Sequence, residues 1–352
     1  MSPVAQARPG GALRTGIGAG VAVLLFVAAL FGSLCLGAAP IAPGTVLRAL
    51  GSRFFRGVLA DPMAVTIVWE LRLARTLVAG VSGAALGCAG AVLQGLFRNP
   101  LADPYALGVS SGASLGAVVA LALRITAPLV ATGAVQVSAF VGALAAAAIV
   151  WAVAGIGLSR ASTASLLLAG AAVGSFLGAL VSLVVTFDQG DLQRVFFWLL
   201  GGFGGKSWPD LVAVLPGAAI SIAVGMALAR PLDILGAGEE AAASLGLEVR
   251  RTRALAVSAA ALGAAAAVSV GGIIGFVGLL GPHFARLLVG SGHRRLIPAA
   301  AASGAALLMA ADAAARSIAV PLELPVGIVT ALVGAPLFLY LLVRRGPSGV
   351  ER

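Results

Sequence analysis

The sequence predicts an all-α polytopic membrane protein with ten transmembrane helices and an inverted internal repeat relating spans 2–5 to spans 7–10. Three observations predict this class. Hydrophobic residues make up 60 % of the 352-residue chain and charged residues 10 %, and the mean hydropathy is +1.07. Surface-to-volume scaling leaves no soluble fold of this size able to hide that much apolar surface. The apolar residues also gather into runs of about 20, the length that crosses a hydrocarbon core. Finally, RTLVAGVSGAALGCAGAV (75–92) and RTRALAVSAAALGAAAAV (251–268) agree at eleven of eighteen positions at an offset of 176.

The first run, 16–37, follows a tail carrying Arg8 and Arg14. It resembles a signal peptide but is long for one, and it reads as a retained signal-anchor helix. Further spans are predicted at 75–97, 106–127, 134–158, 162–187, 208–229, 254–274, 297–318 and 325–343. The stretch FVGLLGPHFARLLVG (276–290) is apolar but short, and Pro282 and Arg286 interrupt it, so alone it could be re-entrant. Arg344 and Arg345 follow the last span as Arg8 and Arg14 precede the first. With both ends cytoplasmic the count must be even, so the short stretch crosses and ten spans result. Residues 1–15 and 346–352 are then cytoplasmic tails, and 16–345 forms a single transmembrane domain. That topology puts 13 basic residues inside and nine outside, a modest positive-inside bias. It also separates spans two and seven by an odd number of crossings, so the repeated segments run in opposite directions, as in inverted-repeat transporters. Glycines at four-residue spacing, such as Gly83–Gly87 and Gly170–Gly174, give helices small faces for close approach in lipid.

The net charge of +10 is carried by 22 arginines and one lysine. In a membrane protein this points to anionic lipid headgroups as partners, and the absence of a polybasic run with interleaved aromatics argues against nucleic acid. Cys35 and Cys88 lie in apolar segments and read as small hydrophobes, not as metal ligands. Ion-coupled carriers need ionisable groups in mid-membrane, and such groups are nearly absent. Asp312 and Arg316, four apart near the outer end of span nine, can pair on one helix face. His283 and His293 are the only histidines. No GxxxxGK[ST] loop, HExxH pair or Ser–His–Asp set occurs, so no catalytic residue and no resident metal is predicted. Energy must then come from a partner that pushes on a cytoplasmic surface.

One segment suits that push. LGAGEEAAASLGLEVRRTR (235–253) holds six of the 36 charged residues: Glu239, Glu240, Glu248, Arg250, Arg251 and Arg253. It lies between spans six and seven, the one long cytoplasmic loop of this topology. A short helix over Glu239–Leu247, acidic in its first turn and closed at Gly246, is predicted. A solvated interfacial helix is the alternative reading.

Four stretches together resemble one family: LRLARTLVAGVSGAALGCAGAVLQGLFRNPLADPYALGVSSGA (71–113), FWLLGGFGGKSW (197–208), GFVGLLGPHFARLLVGSGHRRLIP (275–298) and ADAAARSIAVPLELPVGIVTALVGAPLF (311–338). They resemble FecCD-type permeases, the membrane subunits of ATP-driven importers for iron–siderophores, haem and cobalamin, over about residues 16–345. The resemblance implies a homodimer with the pathway on its twofold axis. Two ATP-binding subunits would dock below, carrying the ATP and magnesium, with no cofactor in this chain. An extracytoplasmic binding protein would dock above. By the same resemblance 235–253 is the coupling helix, with Glu239, Glu240, Ala242, Leu245, Gly246 and Leu247 meeting the ATPase.

Arg72, Arg75 and Arg316 lie on the outer side, against the charge bias. Their residue types alone give an anion-docking patch or interfacial anchors; the resemblance implies pairing with glutamates of the binding protein. Arg72 and Arg75, three apart, are expected on one helical face, serving one carboxylate cluster. Asn99 and Leu101, with Ser162 and Thr163, fall on inner loops. By resemblance they narrow the inner mouth; by residue type Asn99 is a turn residue and Ser162 a helix cap. The resemblance favours an iron chelate (siderophore or haem) as cargo, the GGFGG run makes cobalamin the alternative, and an ion-coupled secondary carrier is the reading from another class.

Overall fold

The computed structural model describes residues 11–55, 59–125, 133–156, 163–187 and 192–345, and among these no strand occurs. The chain opens with α1 (Gly11–Cys35) and then builds a short outer segment that the apolar pattern did not announce: α2 (Pro43–Gly51), α3 (Pro62–Thr66) and a π-helical turn over Ile67–Leu73. Both short helices begin on proline, whose fixed φ and missing N–H suit a first helical position. Asp61 caps α3 by accepting the amides of Met63 (3.2 Å) and Ala64 (3.3 Å). Leu34, Val46, Ala49 and Val68 form a small buried cluster that pins this segment to the end of α1.

The remainder is α4 (Ala74–Leu96), α5 (Val109–Ala122), α6 (Ala134–Ile156), α7 (Thr163–Phe187), α8 (Leu192–Leu200), α9 (Trp208–Ala227), α10 (Ala229–Leu235), α11 (Glu239–Ser244), α12 (Val249–Gly271), α13 (Val277–Val289), α14 (His293–Ala315) and α15 (Val326–Arg345). Each of the ten predicted apolar stretches contains one of these helices. Among the described residues seven helical segments are long and apolar enough to cross a membrane, one of them running from α3 through α4, while α5, α13 and the apolar part of α15 are shorter.

The prediction of a full-length span over 106–127 is therefore corrected. Asp103 and Pro104 start a 3-10 turn, and Gly108, at φ +75°, breaks the chain before α5 begins. The helix that follows has 14 residues, and α13 has 13. At 1.5 Å per residue each covers only about 20 Å of a core about 30 Å thick. Both start inside the protein. Gly278, near the start of α13, lies against Gly90 and the Leu86 carbonyl in the inner half of α4. The Tyr105 hydroxyl joins the two breaks by donating to the Ile274 carbonyl (3.0 Å) and accepting the Ile274 amide (3.3 Å). Irregular backbone at this depth is tolerated because protein groups satisfy it.

Residue contacts give the directions of the helices. Gly80 lies against Met309, Gly83 against Gly304 and Gly87 against Ala300, so α4 and α14 are antiparallel. Gly217 against Ala266 and Gly263 against Ser221 make α9 and α12 antiparallel too. Cys88 beside Ser221 and Gly225 beside Val92 make α9 parallel to α4. Thus α4 and α12, the two copies of the repeat, run in opposite directions. Packing repeats with them: α4 abuts α14 as α12 abuts α6, and α5 abuts α6 as α13 abuts α14. The seams are built on glycine, because a Cβ at Gly83 would come within 2.3 Å of the Gly304 carbonyl oxygen.

Candidate functional site

The end of the bundle that the predicted topology places outside carries a buried ion cluster. Arg72 lies in the π-helical stretch before α4 and Arg75 in α4, and the two do not share partners. Arg72 donates through Nη1 to the carbonyls of Leu34 (2.7 Å) and Cys35 (3.1 Å), and through Nη2 to that of Ala39. It thereby satisfies carbonyls that the end of α1 leaves without intrahelical donors. Arg75 grips Asp312 through Nε (3.0 Å) and Nη2 (2.8 Å), and Glu323 through Nη1 (2.9 Å). Arg316 donates to the Ser33 carbonyl at 2.7 Å, and its Nε lies 3.4 Å from Asp312, the local pair expected from their spacing. Ser33 Oγ and Thr76 Oγ1, 2.9 Å apart, bind this corner to α4.

This corrects the picture of an exposed docking patch. Arg72, Arg75 and Arg316 are 6, 9 and 5 % exposed, and Asp312 is 0 % exposed. Their donors face internal acceptors. The rim residue of the cluster is Glu323, whose side chain is 49 % exposed.

Beside the cluster lies a cavity of about 530 Å³ whose lining includes Arg75, Arg194, Trp198, Lys206 and Glu323. Gly201, Gly202, Phe203 and Gly204 of the GGFGG run line it, and at Gly201 the reason for glycine is steric. Gly202 N–H donates to the Gly271 carbonyl at 2.7 Å. Gly201 and Gly272 both take positive φ, and a Cβ on either would come within 2.4 Å of a carbonyl oxygen in the opposing strand of backbone. Sequence reasoning missed Arg194 and Lys206 as lining residues. The available signal was their charge, set close to the glycine run in an otherwise apolar chain.

The opposite end holds the charged segment. The predicted helix Glu239–Leu247 is observed as α11, Glu239–Ser244, with Gly246 at φ +80° closing it. Glu239 pairs with Arg253 of α12. Glu240, Leu245 and Gly246 are exposed, Leu245 at 72 %, and Leu247 is half-buried. Ala242 is a correction: it is fully buried, packed inward with Leu232 and Leu235, and presents nothing to a partner. Asn99, predicted at the inner mouth, accepts the Leu101 amide at 2.9 Å and fixes a turn. Thr163 is the first residue of α7, and Ser162 lies outside the described residues.

Seven helical segments long and apolar enough to cross a membrane among the described residues, with a buried ion cluster at one end and a short charged helix at the other, place the chain among multi-pass membrane proteins. The chain belongs to the FecCD transport family, which it matches over residues 24–344. It is 49 % identical over 279 residues to the cobalamin import system permease protein BtuC of Halobacterium salinarum, covering 79 % of this chain and 74 % of that one. It is 42 % identical over 285 residues to the hemin transport system permease protein HmuU of Yersinia pestis, covering 79 % and 84 %. The solved inward-facing structure of a metal-chelate type ABC transporter superposes with a TM-score of 0.81 at 30 % identity, covering 94 % of this chain and 99 % of that one. The chain is thus a multi-pass ABC importer permease of a family that works with ATPase subunits and a binding protein.

Proposed function

We propose that this permease imports a large metal chelate and that the chelate is a corrinoid of the cobalamin type. The observation that carries the reading is the 49 % identity to a cobalamin permease over 79 % of the chain. An iron chelate, siderophore or haem, is the second reading, favoured by the 42 % identity to a hemin permease. The cavity of about 530 Å³, lined by glycines of the GGFGG run and by the charged side chains of Arg75, Arg194, Lys206 and Glu323, supports a bulky polar cargo. In this reading two copies of the chain pair around the pathway, both termini are cytoplasmic, and two ATPase subunits bind α11. The binding protein meets the outer end. There Arg72, Arg75 and Arg316 act by holding the backbone around Ala39 and the rim at Glu323, and Asn99 and Leu101 line the inner mouth. Uptake of labelled cobalamin, haem and a ferric hydroxamate by cells expressing the full transporter separates the readings. Cobalamin accumulation that requires this chain is expected; accumulation of the ferric hydroxamate alone overturns the corrinoid assignment.

A further inference from the structure

Two polar ties bind the charged inner segment to the membrane helices, and they lead to different places. Glu239 of α11 reaches Arg253 of α12. Asp233, on α10, reaches His293, the first residue of α14: its carboxylate accepts the His293 amide at 3.0 Å and lies 2.6 Å from Nδ1. One side chain thus caps a helix N-terminus and holds the first ring of that helix. The ring in turn rests on Gly95 of α4, where a Cβ would sit 2.2 Å from Nε2. Leu232 and Leu235, buried on either side of Asp233, seat α10 against the same two helices.

The inner ends of α4 and α14 therefore meet at one joint, and that joint includes the element leading into α11. The two helices are locked again along the Gly83–Gly304 seam and at their outer ends through Arg75 and Asp312. We propose that Asp233 and His293 are positioning residues of the transport cycle, which pass displacement of the charged inner helix to the α4/α14 pair and so to the outer ion cluster. This rests on the reading of α11 as the ATPase contact.

The test uses the complete transporter, with its ATPase subunits and binding protein, in lipid nanodiscs. The measured quantity is how far ATP changes the affinity for the binding protein, which needs no knowledge of the cargo. Wild type should show a change within roughly 5–150-fold, the usual span of a coupling between sites. Absence of any change in wild type would count against the importer reading itself, not against the joint. Asp233→Ala and His293→Ala should assemble and keep basal ATP hydrolysis, yet retain less than about a threefold change. Asp233→Asn keeps an oxygen acceptor and should retain most of the wild-type response. Should Asp233→Ala fail to assemble, Gly95→Ala decides in its place, since it displaces the ring and leaves the carboxylate intact. A wild-type response in assembled His293→Ala, together with one in Asp233→Ala or Gly95→Ala, overturns the proposal.

Discussion

Replacing Gly304 with alanine puts a methyl group where α4 already lies. A Cβ at 304 would come within 2.3 Å of the Gly83 carbonyl oxygen and 3.1 Å of the Gly87 Cα. Ordinary contact begins near 3.4 Å, so the two helices must part by about 1.1 Å, the difference of those two distances. The obstacle is backbone, so no flexible side-chain end can yield. A gap of that order forfeits roughly a quarter to a half of each dispersion contact along the seam. Overpacking of this kind costs about 1–3 kcal/mol, and the gain from replacing a helical glycine offsets about 0.5–1 kcal/mol. The net expectation is a loss of about 1 kcal/mol, read as a lower thermal midpoint of the detergent-purified subunit. Gly178→Ala is the control, because a Cβ there meets nothing within 4 Å; its midpoint should hold or rise. Equal midpoints for Gly304→Ala and wild type would refute the claim that backbone contact sets this seam.

Asp312→Ala should destabilise the subunit by about 3–5 kcal/mol, because it strips the main acceptor from a buried guanidinium. Glu323→Gln, at the half-exposed rim, should stay within about 1 kcal/mol of wild type; thermal midpoints that reverse this order would show that the cluster is not organised around Asp312. Leu245→Asp should abolish stimulation of ATP hydrolysis by the binding protein while the subunit stays folded. Ala242→Asp, which forces a carboxylate into a fully buried site, should lower the thermal midpoint instead. Indistinguishable midpoints for these two variants would contradict the inward packing of α11.

Much of this was legible in the sequence because it rests on local pattern. Apolar run length located a helix in each of the ten stretches, the 75–92 and 251–268 copies foretold the antiparallel α4 and α12, and Gly246 marked the end of α11. The arginines were misread because burial depends on partners far along the chain. Arg75 is spent on Asp312 and Glu323, and Arg316 on Ser33, none of which lies near it in sequence except Asp312 to Arg316. The single carboxylate cluster expected for Arg72 and Arg75 fails because Arg72 is taken by the carbonyls of Leu34 and Cys35, which no local pattern announces. Ala242 was placed at the surface because a six-residue helix is too short for a periodic pattern to show which side faces the core. The shortness of α5 has a local cause: apolar composition continues through the break at Gly108, where the helix starts afresh.

The outer ion cluster has a consequence for how the chain is made. Arg75 enters with the second helix, whereas its carboxylate partner Asp312 is 237 residues away. At about 5–20 residues per second, the interval between their syntheses is roughly 10–50 s. During that time a cation destined for burial has no Asp312 to meet and stays near the interface, where its long side chain can reach water. Chains that stop before residue 312 keep it there. In them Arg75 lacks the carboxylate that accepts its buried guanidinium in the complete chain, so the α4–α14 tie cannot form at this end.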